Sequence, residues 1–132
     1  MADPTQVFWN DLKSDLEDPE FLREYIIESV RIQAIDSLIN ELEKAREHAG
    51  LSKAEVARAI NTKPEVIRRM LSNKSVNPTL GTLAEVAAVL GYSLSLTPFS
   101  AADDQFIKTP LQIGVSNDLD ELAKRHRSHQ VA

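Results

Sequence analysis

Basic side chains are concentrated in one short part of this sequence. Residues 44–75 hold 8 Lys and Arg against 3 acids, whereas residues 1–43 hold 3 bases and 11 acids. Residues 76–132 hold 4 bases and 6 acids. The net charge of −5 over 132 residues therefore hides a local positive segment. Such a segment between acidic flanks is typical of a surface that binds a polyanion.

Other kinds of chemistry find little support in the residue types. The chain has no Cys, which rules out a disulfide framework, a zinc-thiolate site and a thiol nucleophile. His126 and His129 lack a third ligand nearby, and no Gly-rich phosphate loop or Ser/His/Asp arrangement stands out. We therefore expect no enzyme, no metal and no cofactor. The absence of a signal peptide and of a long apolar run predicts a cytoplasmic protein.

Helix start and stop patterns divide the chain into elements. Asp3-Pro4 and Asp18-Pro19 each pair an N-cap residue with Pro at the first helical position, and Gly50 is placed to end the second helix. The apolar stripe of that long helix changes phase near residues 29–33, which predicts either a bend or two different buried faces. The chain is long enough for one modest core, and two are not expected.

Two short helices with a tight turn between them are predicted in the basic segment. Ser52 and Glu55 form a capping-box pattern that opens the first helix, which ends by Ile60. Asn61 occupies the turn, where a positive φ is expected. A second helix runs from about Pro64 to Leu71. Apolar residues recur where the helices would face each other, and basic residues occupy positions outside this pattern. The apolar residues are Val56, Ala57, Ile60, Ile67 and Met70, and the basic residues are Lys53, Arg58, Lys63, Arg68, Arg69 and Lys74.

The remainder of the chain predicts another helix and then a change of period. Asn77-Pro78 starts the helix, Gly91 ends it, and its inward residues are expected to be Leu80, Leu83, Val86, Ala87 and Leu90. Residues 92–97 alternate apolar and polar side chains, which is typical of a strand. Residues 106–115 could form a second strand, and residues 119–126 a short helix. We predict an all-α fold with a helical extension (1–31), a helix-turn-helix domain (32–91) and a strand-like or hairpin segment with a flexible tail (92–132).

Residues 45–91 resemble the XRE family of regulators, which includes the phage repressors. The resemblance rests on Ala-Gly-Leu-Ser at 49–52, Val-Ala at 56–57, Ile-x-x-Met at 67–70 and Asn-Pro-Thr-Leu at 77–80. Asn61 stands where the family commonly has Gly, and the family's fifth helix is replaced by the alternating segment 92–97. The resemblance implies a compact phage-repressor-like domain that binds double-stranded DNA. It also implies a homodimer on a palindromic operator.

The resemblance also implies which side chains meet DNA. In the family's docking the second helix of the motif enters the major groove, and its first residues meet base edges. We therefore expect base contacts from Lys63, Pro64, Glu65, Arg68 and Arg69. Arg69 is expected to make the main specific contact, because Arg can donate two hydrogen bonds to O6 and N7 of guanine. Phosphate contacts are expected from Lys53, Asn73 and Lys74. The plainer alternatives are that the two arginines only solvate the helix and that Glu65 closes a capping box with Thr62.

A narrower resemblance concerns the N-terminal part. The sequence Asp-Pro-Glu-Phe-Leu-Arg-Glu-Tyr (18–25), followed by a long helix, the XRE-like segment and Leu-Gly-Tyr, is similar to HigA-like antitoxins of toxin-antitoxin modules. This implies a repressor of its own operon that neutralises a small basic ribonuclease toxin. The partner-binding residues would lie in the acidic segment 1–43 and include Phe8, Trp9, Phe21 and Tyr25. The alternative is that these residues pack on the DNA-binding core or build the dimer.

Two other functions compete with the antitoxin. The first is a stand-alone XRE-family regulator without a toxin. The second is a protein-interaction module that keeps the fold but has lost DNA binding, and the basic cluster at 53–74 argues against it.

Overall fold

The helices follow one another closely along the chain. The structure is a computed structural model that describes residues 3–72 and 77–130, with the side chains of 126–130 left out. The helices, in chain order, are α1 (Pro4–Asp15), α2 (Pro19–Ala49), α3 (Lys53–Ala59), α4 (Pro64–Leu71), α5 (Leu80–Val89), α6 (Ala101–Asp103), a π-helical segment (Asp104–Lys108), α7 (Thr109–Ile113) and α8 (Leu119–Gln130). No helix among the described residues is long and apolar enough to cross a membrane.

The chain forms two compact units. Residues 34–97 form what we call the central unit, and residues 1–33 with 98–132 form the terminal unit. Each unit has its own core of buried apolar side chains. The expectation of a single core was therefore wrong, because the C-terminal residues supply apolar side chains that pack with those of the N-terminal residues.

The core of the central unit takes residues from four helices. Its buried members are Ile39 and Leu42 of α2, Val56 and Ala57 of α3, Ile67, Met70 and Leu71 of α4, and Leu83, Val86, Ala87 and Leu90 in or next to α5. Of the apolar positions predicted to join the two short helices, Val56, Ala57, Ile67 and Met70 are buried, and Ile60 is partly buried against the same core. Leu80 was predicted to point inward and is instead 73% exposed. The reason is local: the Thr79 hydroxyl caps α5 by accepting from the Thr82 amide, so Leu80 is the first residue of the helix.

The core of the terminal unit joins residues far apart in sequence. Its buried members are Leu16, Leu22, Ile26, Phe106, Leu122 and Ala123. Helix α2 supplies Leu22 and Ile26 to this core and Ile39 and Leu42 to the core of the central unit. The phase change in its apolar stripe therefore marks two different buried faces, which was one of the two predicted explanations.

The predicted C-terminal strand or hairpin is wrong. Residues 92–100 have no regular secondary structure, and no strand occurs in the described part of the chain. An alternating pattern forms a strand only when a neighbouring strand pairs with its backbone. Residues 106–115, which could have formed a second strand, are instead largely helical, because Ser100 caps α6 and Gly114 ends α7 in the left-handed region.

Gly114 is required for a second reason. A Cβ atom at this position would lie 2.9 Å from Cβ of Pro19 and 3.2 Å from the guanidinium carbon of Arg23. Arg23 itself donates from Nε to the carbonyl of Leu111 (3.1 Å) and from Nη2 to that of Gln112 (3.2 Å). The guanidinium thus satisfies carbonyls that the end of α7 leaves open, and it holds α7 against the start of α2.

Candidate nucleic-acid interface

A capping box fixes where α3 begins. The Ser52 hydroxyl accepts a hydrogen bond from the Glu55 amide (3.0 Å), and the Glu55 carboxylate accepts one from the Ser52 amide (3.1 Å). This hydrogen bond from the Ser52 backbone, with one from its side chain, lowers the pKa of Glu55. The predicted box is confirmed, and it places Lys53 at the first position of α3.

The turn between α3 and α4 has the predicted geometry. Asn61 has a φ of 57° and is the one non-glycine residue with positive φ in the described part of the chain. The Thr62 amide donates to the Ala57 carbonyl at 2.9 Å, which closes the end of α3. Helix α4 then starts at Pro64 with Lys63 as its N-cap residue and without a side-chain cap. The alternative in which Thr62 and Glu65 form a capping box is therefore wrong.

Helix α4 has one buried face and one exposed face. Ile67, Met70 and Leu71 are at most 5% exposed. At about 100° per residue, Glu65 and Arg69 lie opposite this buried stripe, while Val66 and Arg68 lie on either side of them. Each side chain that was predicted to contact bases is exposed: Lys63, Pro64, Glu65, Arg68 and Arg69. These residues therefore lie on or at the start of one short helix and are accessible to a ligand.

The two arginines of α4 differ in their surroundings. Nη1 of Arg68 lies 3.3 Å from Oε2 of Glu65, and both side chains are more than half exposed. Such an exposed pair contributes little stability and can open when a ligand binds. The Arg69 guanidinium has no hydrogen bond or ion pair within the described residues. Arg69 can therefore approach a base edge without giving up a contact to any of the described residues.

Two of the predicted phosphate-binding residues, Asn73 and Lys74, lie outside the described residues. Lys53 is half-buried at the start of α3, and its charge contributes to lowering the pKa of Glu43. Lys53 thus lies at the N-terminal end of a helix of the motif.

Arg46 belongs to the basic segment but has a structural role that sequence reasoning missed. Its guanidinium pairs with Glu43 and donates from Nη1 to the Leu51 carbonyl at 2.7 Å. The side chains of Arg46 and Glu43 are only 16% and 26% exposed. The hydrogen bond from Arg46 lowers the pKa of Glu43, and the same bond raises the pKa of Arg46. This cation stabilises the end of α2 and is not available to a polyanion.

Val66 is a second residue that sequence reasoning did not single out. It lies on the exposed side of α4 and is 43% exposed. The signal was present in the sequence: Val66 is apolar but falls outside the stripe formed by Ile67, Met70 and Leu71.

The aromatic residues predicted to bind a partner lie in the terminal unit and have different environments. Phe8 is 58% exposed, and its ring meets that of Trp9 edge to face with centroids 5.0 Å apart. Phe21 and Tyr25 are partly buried against the core of this unit, and burial raises the pKa of Tyr25. Phe8 is thus the most accessible of the four.

The comparison with known families agrees with this geometry. Residues 42–96 match the helix-turn-helix family, a segment that runs from the last part of α2 through α5 and covers less than half of the chain. The match supports an XRE-type helix-turn-helix regulator that binds DNA sequence-specifically. No curated protein matches the chain, and no solved structure does.

Proposed function

We propose that this chain is a transcriptional repressor that binds a palindromic operator as a homodimer and inserts α4 into the major groove. The observation that carries the proposal is the division of α4 into a buried apolar face and an exposed face with basic residues. Ile67 and Met70 anchor the helix in the core, so that Arg69 lies on a helix whose other face is packed. A recognition helix must combine these properties, because base contacts tolerate little movement.

The exposed residues of α4 have distinct roles in this proposal. Arg69 donates two hydrogen bonds to O6 and N7 of a guanine, and Glu65 accepts from N4 of a cytosine when its pair with Arg68 opens. Lys63 and Pro64 meet the groove at the start of the helix. Lys53, with Asn73 and Lys74, binds phosphates and sets the position of the domain on the duplex.

A groove in the central unit supports the homodimer. Its volume is about 650 Å³, and Glu41, Lys44 and His48 lie among its lining residues. Its apolar wall comes from α2, α5 and the residues after α5: Leu38, Leu42, Ala45, Ala87, Tyr92 and Leu94. Leu96 lies two residues after Leu94 and is fully exposed, at 102%. A two-fold axis would place Leu96 of each copy in the groove of the other and bury apolar surface on both sides.

Selection from randomised duplexes with the full-length protein tests the DNA-binding proposal. We expect an inverted repeat whose half-sites lie about 10 base pairs apart, because two copies of α4 must reach the same face of the duplex. Failure to enrich any sequence at low and moderate salt would contradict the proposal.

The second part of the proposal is that the protein is an antitoxin whose terminal unit binds a small basic ribonuclease. Seven acids of α1, α2 and the residues between them are exposed, and none of them has an ion pair within the described residues: Asp11, Asp15, Glu17, Asp18, Glu20, Glu24 and Glu28. Phe8 adds an exposed aromatic side chain to the same unit. Exposed aromatic anchors and negative charge suit a basic protein partner. The ribonuclease itself is inferred from the HigA-like resemblance.

Co-expression with the product of the adjacent reading frame tests the partner. Deleting residues 1–30 would remove Leu16, Leu22 and Ile26 from a core, so a surface substitution is the better probe. We expect Phe8→Ala to weaken co-purification by tenfold or more, since loss of an interface anchor costs about 2 kcal/mol. Ile113→Ala is the matched control, because Ile113 is 60% exposed in the same unit. Equal recovery with both variants, or no recovery with the wild type, would contradict the antitoxin role.

A further inference from the structure

Val66 has an exposed position that the folding of α4 does not explain. Its side chain is 43% exposed, whereas the three core residues of α4 are at most 5% exposed. The helix is already anchored by Ile67, Met70 and Leu71. A β-branched residue also has a lower helix propensity than the polar residues that usually occupy exposed positions. Stability alone would therefore favour a different residue here.

Val66 lies beside the proposed base-reading residue. It precedes Arg69 by three positions, and side chains at this spacing are neighbours on a helix surface. Glu65 and Arg68 occupy the other part of the exposed face and form their own pair. The exposed face of α4 thus has a polar part and an apolar part, and the apolar part is Val66.

We infer that Val66 packs against the C5-methyl group of a thymine in the major groove and thereby specifies this base in each half-site. Among the four bases, only thymine presents a methyl group in the major groove. A cytosine at the same place would present its N4 amino group, but a valine side chain has no acceptor for its hydrogen bond. The amino group would lose its hydrogen bond to water on binding, and this loss would penalise cytosine. The inference rests on the proposed DNA binding and adds a specificity-determining residue to it.

Deoxyuridine substitution tests this inference without disturbing base pairing. Starting from the operator selected with the wild-type protein, each thymine is replaced by deoxyuridine in both half-sites at once, which removes only the methyl group. We expect one position where the replacement lowers the affinity of the wild-type protein about fourfold per half-site, which is the contribution of one buried methyl group. The variant Val66→Ala should bind the two duplexes at this position equally. Ile32→Ala is the matched control because Ile32 is also 43% exposed, and it should retain the wild-type discrimination.

The possible failures can be told apart. If selection yields no operator, the proposed DNA binding fails and the inference fails with it. If an operator is found but no thymine separates the wild type from Val66→Ala, the inference alone is overturned. Circular dichroism of Val66→Ala should match the wild type, since the side chain lies outside the core. The readout is the ratio of the affinities of one protein for two duplexes. A smaller fraction of active protein in the Val66→Ala sample would therefore not change it.

Discussion

At the residue scale, adjacent positions in α4 have opposite roles. Ile67 is fully buried and Arg68, the next residue, is exposed. This contrast follows from the helical repeat, because each residue turns about 100° from the one before it. Charge alone does not identify the residues available to DNA: Arg46 is as basic as Arg69, yet it is held by Glu43 and the Leu51 carbonyl.

We expect Arg69→Ala to abolish the preference for the operator while the fold and weak non-specific binding remain. One bidentate contact to guanine contributes about 1–3 kcal/mol, and a dimer loses two of them. The measurement is the ratio of dissociation constants for the operator and a scrambled duplex at fixed salt.

Lys53→Ala is the contrasting control for Arg69→Ala. A phosphate contact carries no sequence information, so this variant should bind all duplexes more weakly and show a salt dependence that is shallower by about one unit per subunit. An Arg69→Ala protein that still prefers the operator as the wild type does would disprove the assignment of Arg69.

At the element scale, the segment after α5 is the feature that a single chain leaves incomplete. Residues 92–100 have no regular structure, and Tyr92 and Leu96 are 56% and 102% exposed. Fully exposed leucine is unfavourable by itself, and an apolar groove lies next to this segment in the central unit. In the proposed dimer, Leu96 of each copy packs into the groove of the other copy.

We expect Leu96→Glu to convert the dimer to a monomer. Loss of the buried leucine removes about 1.5–3 kcal/mol per copy, and a carboxylate against the apolar wall of the groove further opposes association. Light scattering over a concentration series measures the dissociation constant, and circular dichroism checks that the helices remain.

Leu80→Glu is the control for Leu96→Glu, because Leu80 is 73% exposed in the same unit. Truncation before residue 92 would be a poor substitute, since residues 98–132 belong to the terminal unit. If Leu96→Glu and Leu80→Glu associate alike, the dimer does not use this segment.

At the scale of the whole molecule, two cores share one chain. The terminal unit is closed by contacts between its first and last parts, including Lys13 with Asp120 at 3.0 Å. The guanidinium of Arg125 lies 4.7 Å from the centre of the Phe106 ring in the same unit. The proposed DNA-binding and partner-binding residues therefore belong to units that have separate cores.

We expect Leu122→Ala to destabilise the terminal unit selectively. Leu122 is fully buried there, and removing a buried leucine side chain costs about 2–5 kcal/mol. Hydrogen exchange should show lost protection in residues 3–33 and 98–130, with protection retained in residues 34–72 and 77–97. Ile67→Ala is the reciprocal variant, since Ile67 is fully buried in the other core. Uniform loss of protection in both variants would show that the units unfold together.

The sequence by itself determined the features that depend on neighbouring residues. The caps at Asp3 and Ser52, the positive φ of Asn61 and Gly50, and the start of α4 at Pro64 all agree with prediction. Each of them depends on hydrogen bonds or steric limits within four residues along the chain. The apolar stripe of α4 is equally local, because one short helix presents it.

Only the tertiary structure decided which distant residues share a core. The alternation of residues 92–97 predicted a strand, but a strand exists only with a partner, and residues 106–115, which could have formed a second strand, are largely helical. The phase change in α2 fitted either a bend or two buried faces, and the structure decided for two faces because Leu22 and Ile39 lie in different cores. The return of Phe106 and Leu122 to the N-terminal helices left no local pattern, because buried contacts between remote residues depend on shape and volume and not on spacing in the sequence.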